Sequence, residues 1–124
     1  MKMGDQKKIV KSVTEKESAR AYGSGSIDVL ATPAMIAFME EASLALVDPT
    51  LEVGKATVGT GINIKHVAPT PIGDEVTITT VLDEIDGKRL VFSVAAYDSQ
   101  NKIGEGKHER VIINKSKFMS KLSK

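Results

Sequence analysis

Glu40 and Glu41 stand side by side inside an otherwise apolar run, residues 34–47 (AMIAFMEEASLALV). Carboxylates are almost never fully buried without a partner. A desolvated carboxylate has a raised pKa, which suits a base or nucleophile once its proton is gone. On a helix with about 3.6 residues per turn, neighbouring side chains point about 100° apart. One glutamate can therefore face a pocket or a sheet while the other reaches solvent or a second chain. An amphipathic break that solvates both is the simpler reading, and the apolar residues on every other side weaken it.

His66 lies in residues 56–68 (ATVGTGINIKHVA). Strand alternation puts Val58, Thr60, Ile62, Ile64, His66 and Ala68 on one face, and Thr57, Gly59, Gly61, Asn63, Lys65 and Val67 on the other. His66 is the polar exception on the more apolar face. Alone, that describes a structural histidine held by a backbone carbonyl; beside a partner group, it describes a proton shuttle near neutral pH. Thr32, just before Pro33, is fully explained as a helix N-cap. The same position also offers free N–H groups and a dipole to a developing oxyanion, and a hydroxyl that can hold or attack a carbonyl. His108 and Arg110 share a face of the last strand, after Gly104 and Gly106, which would let a backbone or a ligand approach closely. A solvated strand edge explains His108 equally well and Arg110 less well. Gly59 and Gly61 raise the same possibility of close approach.

The elements that must hold these groups are legible in outline. Residues 9–19 read weakly as an edge strand, and 20–31 as a flexible loop around Gly23, Ser24, Gly25 and Ser26. A helix follows over 34–47, capped by Thr32 and stopped at Asp48-Pro49. Being apolar nearly all round, it should be buried on most sides. Strands are expected at 56–68, 75–85, 89–98 and 103–113, with a hairpin turn at Asp86-Gly87. One strand, one buried helix and a four-stranded meander make an α+β pattern, with the helix on one face of an antiparallel sheet. That order is found in the hot-dog fold, and other helix-on-sheet folds, such as a cone-shaped ligand-binding domain, share it.

The 124 residues suit one domain. Seventeen basic against sixteen acidic side chains leave a net charge of +1, which gives no electrostatic case for nucleic acid or an anionic membrane. The basic stretch Lys115–Lys124 reads as a solvated, partly frayed terminus. The absence of cysteine excludes a disulfide scaffold, a Cys nucleophile and thiolate metal sites, and it fits a reducing cytoplasm. No signal-peptide h-region opens the chain, and Ala34–Met39 is too short to span a bilayer. Two widely spaced histidines argue against a metal site. No dinucleotide fingerprint, phosphate loop or nucleophile elbow is present, so no cofactor is expected.

The segments VLATPAMIAFMEEA (29–42), TVGTGINIKHVAPTPIGDEVTITTVL (57–82) and GEGKHERVII (104–113) together resemble the fluoroacetyl-CoA thioesterase group of hot-dog proteins. The resemblance implies a homodimeric acyl-CoA thioesterase with active sites at or near the subunit interface. It implies Thr32, Glu40 and His66 as the catalytic triad, Gly59 as an N–H donor near the acyl group, and Arg110 as a residue lining the acyl pocket. Two positions depart from the group. The loop before the helix has Tyr22 as its one aromatic where the fluoroacetyl-specific enzyme carries an aromatic lid, and a bulky aromatic position is Glu41 here. The resemblance therefore implies a fold and a triad, not that acyl group.

Hydrolysis of a short-chain acyl-CoA by Glu40, His66 and Thr32 leads over a non-catalytic acyl-CoA-binding module on the same fold. An enoyl-CoA hydratase ranks lower. Eight helical residues span about 12 Å, so Thr32 and Glu40 cannot bond directly along one straight helix. Either substrate bridges them, residues of two subunits meet, or Thr32 is mainly a cap.

Overall fold

The computed structural model describes residues 1–123. In chain order it forms β1 (Gln6–Ser12), α1 (Ala19–Tyr22), α2 (Thr32–Val47), β2 (Lys55–His66), β3 (Glu75–Asp86), β4 (Arg89–Tyr97), β5 (Lys102–Asn114) and α3 (Lys115–Ser120). The five strands make one antiparallel sheet in the order β1-β3-β4-β5-β2, with α2 against one face. This is the α+β architecture that the sequence implies. Only β3, β4 and β5 form a meander, however. β2 lies at the far edge beside β5, and β1 edges the sheet beside β3.

The core is the apolar side of α2 set on the inward residues of the sheet. Met35, Phe38, Met39 and Ala42 meet Val76, Ile78 and Leu82 of β3, Leu90 and Phe92 of β4, and Ile103 of β5. Each fully buried side chain of this size contributes roughly 1.5–3 kcal/mol, which is enough to fix α2 across the sheet. Ser43 is fully buried, and its hydroxyl donates to the Met39 carbonyl at 2.9 Å and lies 2.9 Å from Thr80 Oγ1, so it carries no unmet polar group. Burial of α2 is less complete than its composition suggests. Pro33, Ala37, Glu41 and Leu44 are exposed.

Several local expectations need correcting. The edge strand starts and ends earlier than residues 9–19, and 20–31 includes α1 and two isolated bridges rather than a free loop. The β3–β4 turn is Gly87-Lys88, one residue later than expected, with Gly87 in the left-handed region at φ 60°. The basic terminus forms α3, capped by the Asn114 side chain, rather than fraying from Lys115; Lys124 lies outside the described residues. No helix of the described residues is long and apolar enough to cross a membrane.

The largest correction concerns β2. A bulge between Gly59 and Gly61 shifts its register on β5, so that Gly59 pairs with Arg110, Gly61 with Glu109 and Ile62 with His108. An extra residue reverses the alternation. Thr57 and Gly59 therefore share the inward face with Ile62, Ile64 and His66, while Val58 and Thr60 are displaced from it. The two glycines around Thr60 were the available sequence signal for this bulge.

Candidate active site

Thr32 is the first residue of α2 and does not cap it. The cap is Ala31, in extended backbone, whose carbonyl accepts the Met35 N–H at 3.0 Å and whose side chain has no oxygen to offer the helix. The segment before the helix is pinned by backbone bonds from Leu30 N–H to the Thr70 carbonyl (2.9 Å) and from Ala31 N–H to the Glu17 carbonyl (2.8 Å). Released from capping, the Thr32 hydroxyl lies 2.8 Å from His66 Nδ1. His66 ends β2, opposite Gly104, and the next N–H, of Val67, donates to the Ile103 carbonyl at 2.7 Å. Pinned on both sides, the pair has the geometry of a hydroxyl and its base.

Burial pushes the His66 imidazole below its ordinary pKa, and the Ala68 backbone offsets this in part. The ring is therefore neutral near pH 7 and able to accept a proton. Its other nitrogen, Nε2, is buried with no hydrogen-bond partner among the described residues. A buried nitrogen without a partner beside a cleft is open to a hydrogen bond from a bound group. The cleft has a volume of about 400 Å³ and is lined by Thr32, His66, Ser24, Val29, Val67 and Pro69, among others.

Glu40 sits two helical turns further on and belongs to a second cluster. A Cβ placed on Gly59 would lie 3.0 Å from Glu40 Oε2, 3.4 Å from His108 Cε1 and 3.6 Å from Arg110 Nη1. Four residues from α2, β2 and β5 thus converge on one point that glycine leaves open. Arg110 is 7% exposed and His108 2%, so neither is on a solvated strand edge; β5 is an interior strand. Arg110 donates through Nε to Thr57 Oγ1 (2.8 Å) and through Nη2 to the Thr57 carbonyl (3.1 Å). Its Nη1 reaches His108 Nε2 at 3.2 Å. Burial lowers the Arg110 pKa, opposed by the charges of Glu40 and Asp48.

The two glycines of β5 serve packing. A Cβ on Gly106 would meet the Asn63 carbonyl at 2.1 Å, and one on Gly104 would meet Met35 at 2.6 Å. They admit the β2 backbone and the helix, not a ligand. Glu41 points the other way from Glu40, toward β1, where Lys11 Nζ holds it at 3.0 Å and also lies 5.5 Å from the centre of the Phe38 ring. It does not reach the second cluster.

One chain therefore brings together Thr32 with His66, and separately Glu40 with Gly59 and Arg110. The cleft beside Thr32 and His66 is lined by none of the latter three. Sequence reading overlooked Thr57, because the bulge that turns it inward had not been placed. It also left His108 without a partner.

The sequence profile described as fluoroacetyl-CoA-specific thioesterase matches residues 13–116. The fluoroacetyl-CoA thioesterase of Streptantibioticus cattleyicolor is 41% identical over 95 residues, which cover 77% of this chain and 68% of that protein. A solved structure of the fluoroacetyl-CoA thioesterase FlK has a TM-score of 0.92 at 34% identity, covering 98% of this chain and 95% of that one. A variant of FlK in complex with acetyl-CoA gives 0.93 at 34% identity, covering 98% and 96%. A hot-dog-like protein from Thermanaerovibrio acidaminovorans gives 0.90 at 25% identity, covering 97% and 89%. The sheet and its central helix are thus those of the hot-dog fold.

Proposed function

The chain belongs to the fluoroacetyl-CoA-specific thioesterase family and is an acyl-CoA thioester hydrolase on the hot-dog fold, and we propose that its substrates are short-chain esters and that a second copy of the chain completes its active site. The carrying observation is the split between the two clusters: a hydroxyl–imidazole pair at one end of α2 and a carboxylate beside an open glycine further along. The first cluster holds the hydroxyl and the imidazole but no carboxylate, and the second holds the carboxylate without the hydroxyl.

The free edge of β2 is where a second copy fits. Among the described residues no strand lies beyond β2, so its outer side is a template for another strand. Facing residues of an antiparallel pair point to the same side. A two-fold axis at Asn63 pairs Ile64 with the partner's Ile62 and Lys65 with the partner's Gly61. Because of the bulge, His66 then faces the partner's Gly59, with matching sides throughout. Glu40 and Arg110 beside that glycine come to the Thr32–His66 cleft from across the axis.

In this site Glu40 takes the proton from the attacking water. The carbonyl oxygen gains charge and is held by the Thr32 hydroxyl, the Gly59 N–H and the uncapped start of α2. His66 Nδ1–H donates to Thr32 Oγ1, which leaves the hydroxyl proton for the oxyanion, and Nε2 takes the proton from Glu40 and passes it to the departing CoA thiolate. Water and thioester become free acid and thiol. The lining of the cleft beside the pair includes no Phe, Tyr or Trp, which supports a small acyl group without selection for fluorine. A chain without cysteine suits a reducing compartment, and we place the enzyme in the cytoplasm.

Free-thiol release across acetyl-, propionyl-, branched and arylacetyl-CoA tests the reading. Glu40→Gln and His66→Ala should each abolish release while the protein stays folded. CoA-ester binding without thiol release from the wild type would instead favour a binding module.

A further inference from the structure

Among the described residues, His108 is a buried titratable side chain that this mechanism does not use. It sits at 2% exposure on β5, its ring stacked on Phe92 with centroids 5.9 Å apart and planes 27° apart. Nδ1 lies 2.9 Å from the Gly61 carbonyl, just past the β2 bulge. A carbonyl only accepts, so Nδ1 carries the proton. Nε2 lies 3.2 Å from Arg110 Nη1. A guanidinium only donates, so Nε2 offers its lone pair. The two neighbours together select one neutral tautomer, since an imidazolium would set N–H against N–H.

We infer that His108 is a positioning residue, which holds the Arg110 guanidinium over the open face of Gly59 and thereby shapes the acyl-binding end of the site. This rests on the reading that Arg110 lines the acyl pocket. Thr57 fixes Nε and Nη2 of the guanidinium from one side. Without His108, Nη1 would have no acceptor on the other side, and the fork would be free to rotate about the Thr57 contacts. As a neutral acceptor, His108 orients the charge without cancelling it. Burial keeps the ring below its ordinary pKa, assisted by the Arg110 charge and opposed by the Gly61 carbonyl.

Two near-isosteric variants separate this role from support of the bulge. In His108→Gln the amide oxygen can occupy the place of Nε2 and accept from Arg110, while the bond to Gly61 is lost. In His108→Asn the amide N–H can replace Nδ1 and keep Gly61, while the Arg110 acceptor is lost. With the best acyl-CoA of the panel above, His108→Asn should raise KM about tenfold with kcat little changed, and His108→Gln should keep KM within about threefold of wild type. In an Arg110→Lys background, where the fork is absent, the difference between the two should vanish. The reverse order, with Asn tolerated and Gln impaired, would overturn the inference and leave His108 as a support for the bulge. An unchanged KM in Arg110→Lys itself would overturn the placement of Arg110, and the inference with it. Thermal unfolding of each variant shows that a folded protein is being compared.

Discussion

Thr32 Oγ1 and His66 Nδ1 are 2.8 Å apart, joining the first residue of the central helix to the last residue of an edge strand 34 positions away. The contact exists because the helix begins one residue earlier than its composition suggests. With Ala31 in the capping position, the threonine hydroxyl has no backbone N–H to satisfy and turns to the imidazole.

That arrangement separates stability from activity at Thr32. Loss of a capping hydroxyl costs about 0.5–2 kcal/mol of stability, and Thr32 makes no capping bond. Thr32→Ala should therefore keep a wild-type Tm and lose roughly 10²–10³-fold in kcat, as for an oxyanion-stabilising donor. Thr32→Ser should recover most of the rate. Calorimetry and thiol-release kinetics on the two variants check both halves.

Gly59 should be intolerant of even one methyl group, through its effect on Glu40. The added Cβ would lie 3.0 Å from Glu40 Oε2, in a backbone conformation any residue can adopt. Gly59→Ala is expected to lower kcat/KM at least about tenfold, by displacing the carboxylate, with little change in the denaturation midpoint. Equal losses of rate and stability would point to a strand defect instead.

Stability should fall as pH drops through the imidazole range. His66 and His108 both have folded pKa values below their unfolded ones, chiefly through burial. Protonation therefore favours the unfolded chain. The contribution is intact above the unfolded imidazole value of about 6.5 and is lost progressively below it, until the folded values are passed. Asp83 and Glu109, held below the carboxylate range chiefly by hydrogen bonds from Lys107 and from Thr60 respectively, add a second loss at lower pH. Tm measured from pH 8 downward should show the first decline near the imidazole range, reduced in His66→Asn.

How much of this was visible in the sequence differs between the elements. The alternation of Val76, Ile78, Thr80 and Leu82 marked β3, because a strand with one buried face repeats every two residues. The run of Ala, Leu and Met at 34–47, stopped at Asp48-Pro49, marked α2 through helix propensity rather than through a period. Sheet order was not legible, since nothing local tells β2 that its neighbour is β5 and not β3. The faces of β2 were misread because a single extra residue at the bulge inverts every side chain beyond it. Glu40 and His66 stood out in the sequence as polar exceptions and Thr32 as a helix start, yet the division between the Thr32–His66 pair and Glu40 depends on helix length and strand register together. A solvated edge was as good a reading as any for His108, because the sequence does not show that β2 covers that side of β5.

The pairing of two β2 strands gives a sharp covalent test. Val67 N–H donates to the β5 carbonyl of Ile103, so the odd-numbered residues of β2 beyond the bulge turn their backbone groups toward β5, and Ile62, Ile64 and His66 turn theirs to the open edge. A two-fold axis at Asn63 would then make that residue a non-hydrogen-bonded pair with its own copy, with Cα atoms about 4.5 Å apart. This falls within the range a disulfide spans. Asn63→Cys should give a cross-linked dimer under mild oxidation, and Lys65→Cys should not. Cross-linking of Lys65→Cys but not of Asn63→Cys would place the axis elsewhere.

Whether two chains build each active site is settled most directly by mixing two inactive variants. Glu40→Gln and His66→Ala are each expected to release no thiol. In a heterodimer of the two, one site combines the intact His66 of one chain with the intact Glu40 of the other, and the second site lacks both. Random mixing of such dimers should restore about a quarter of wild-type activity. Heterodimers that form, by mass spectrometry, and yet release no thiol would contradict a site shared between chains.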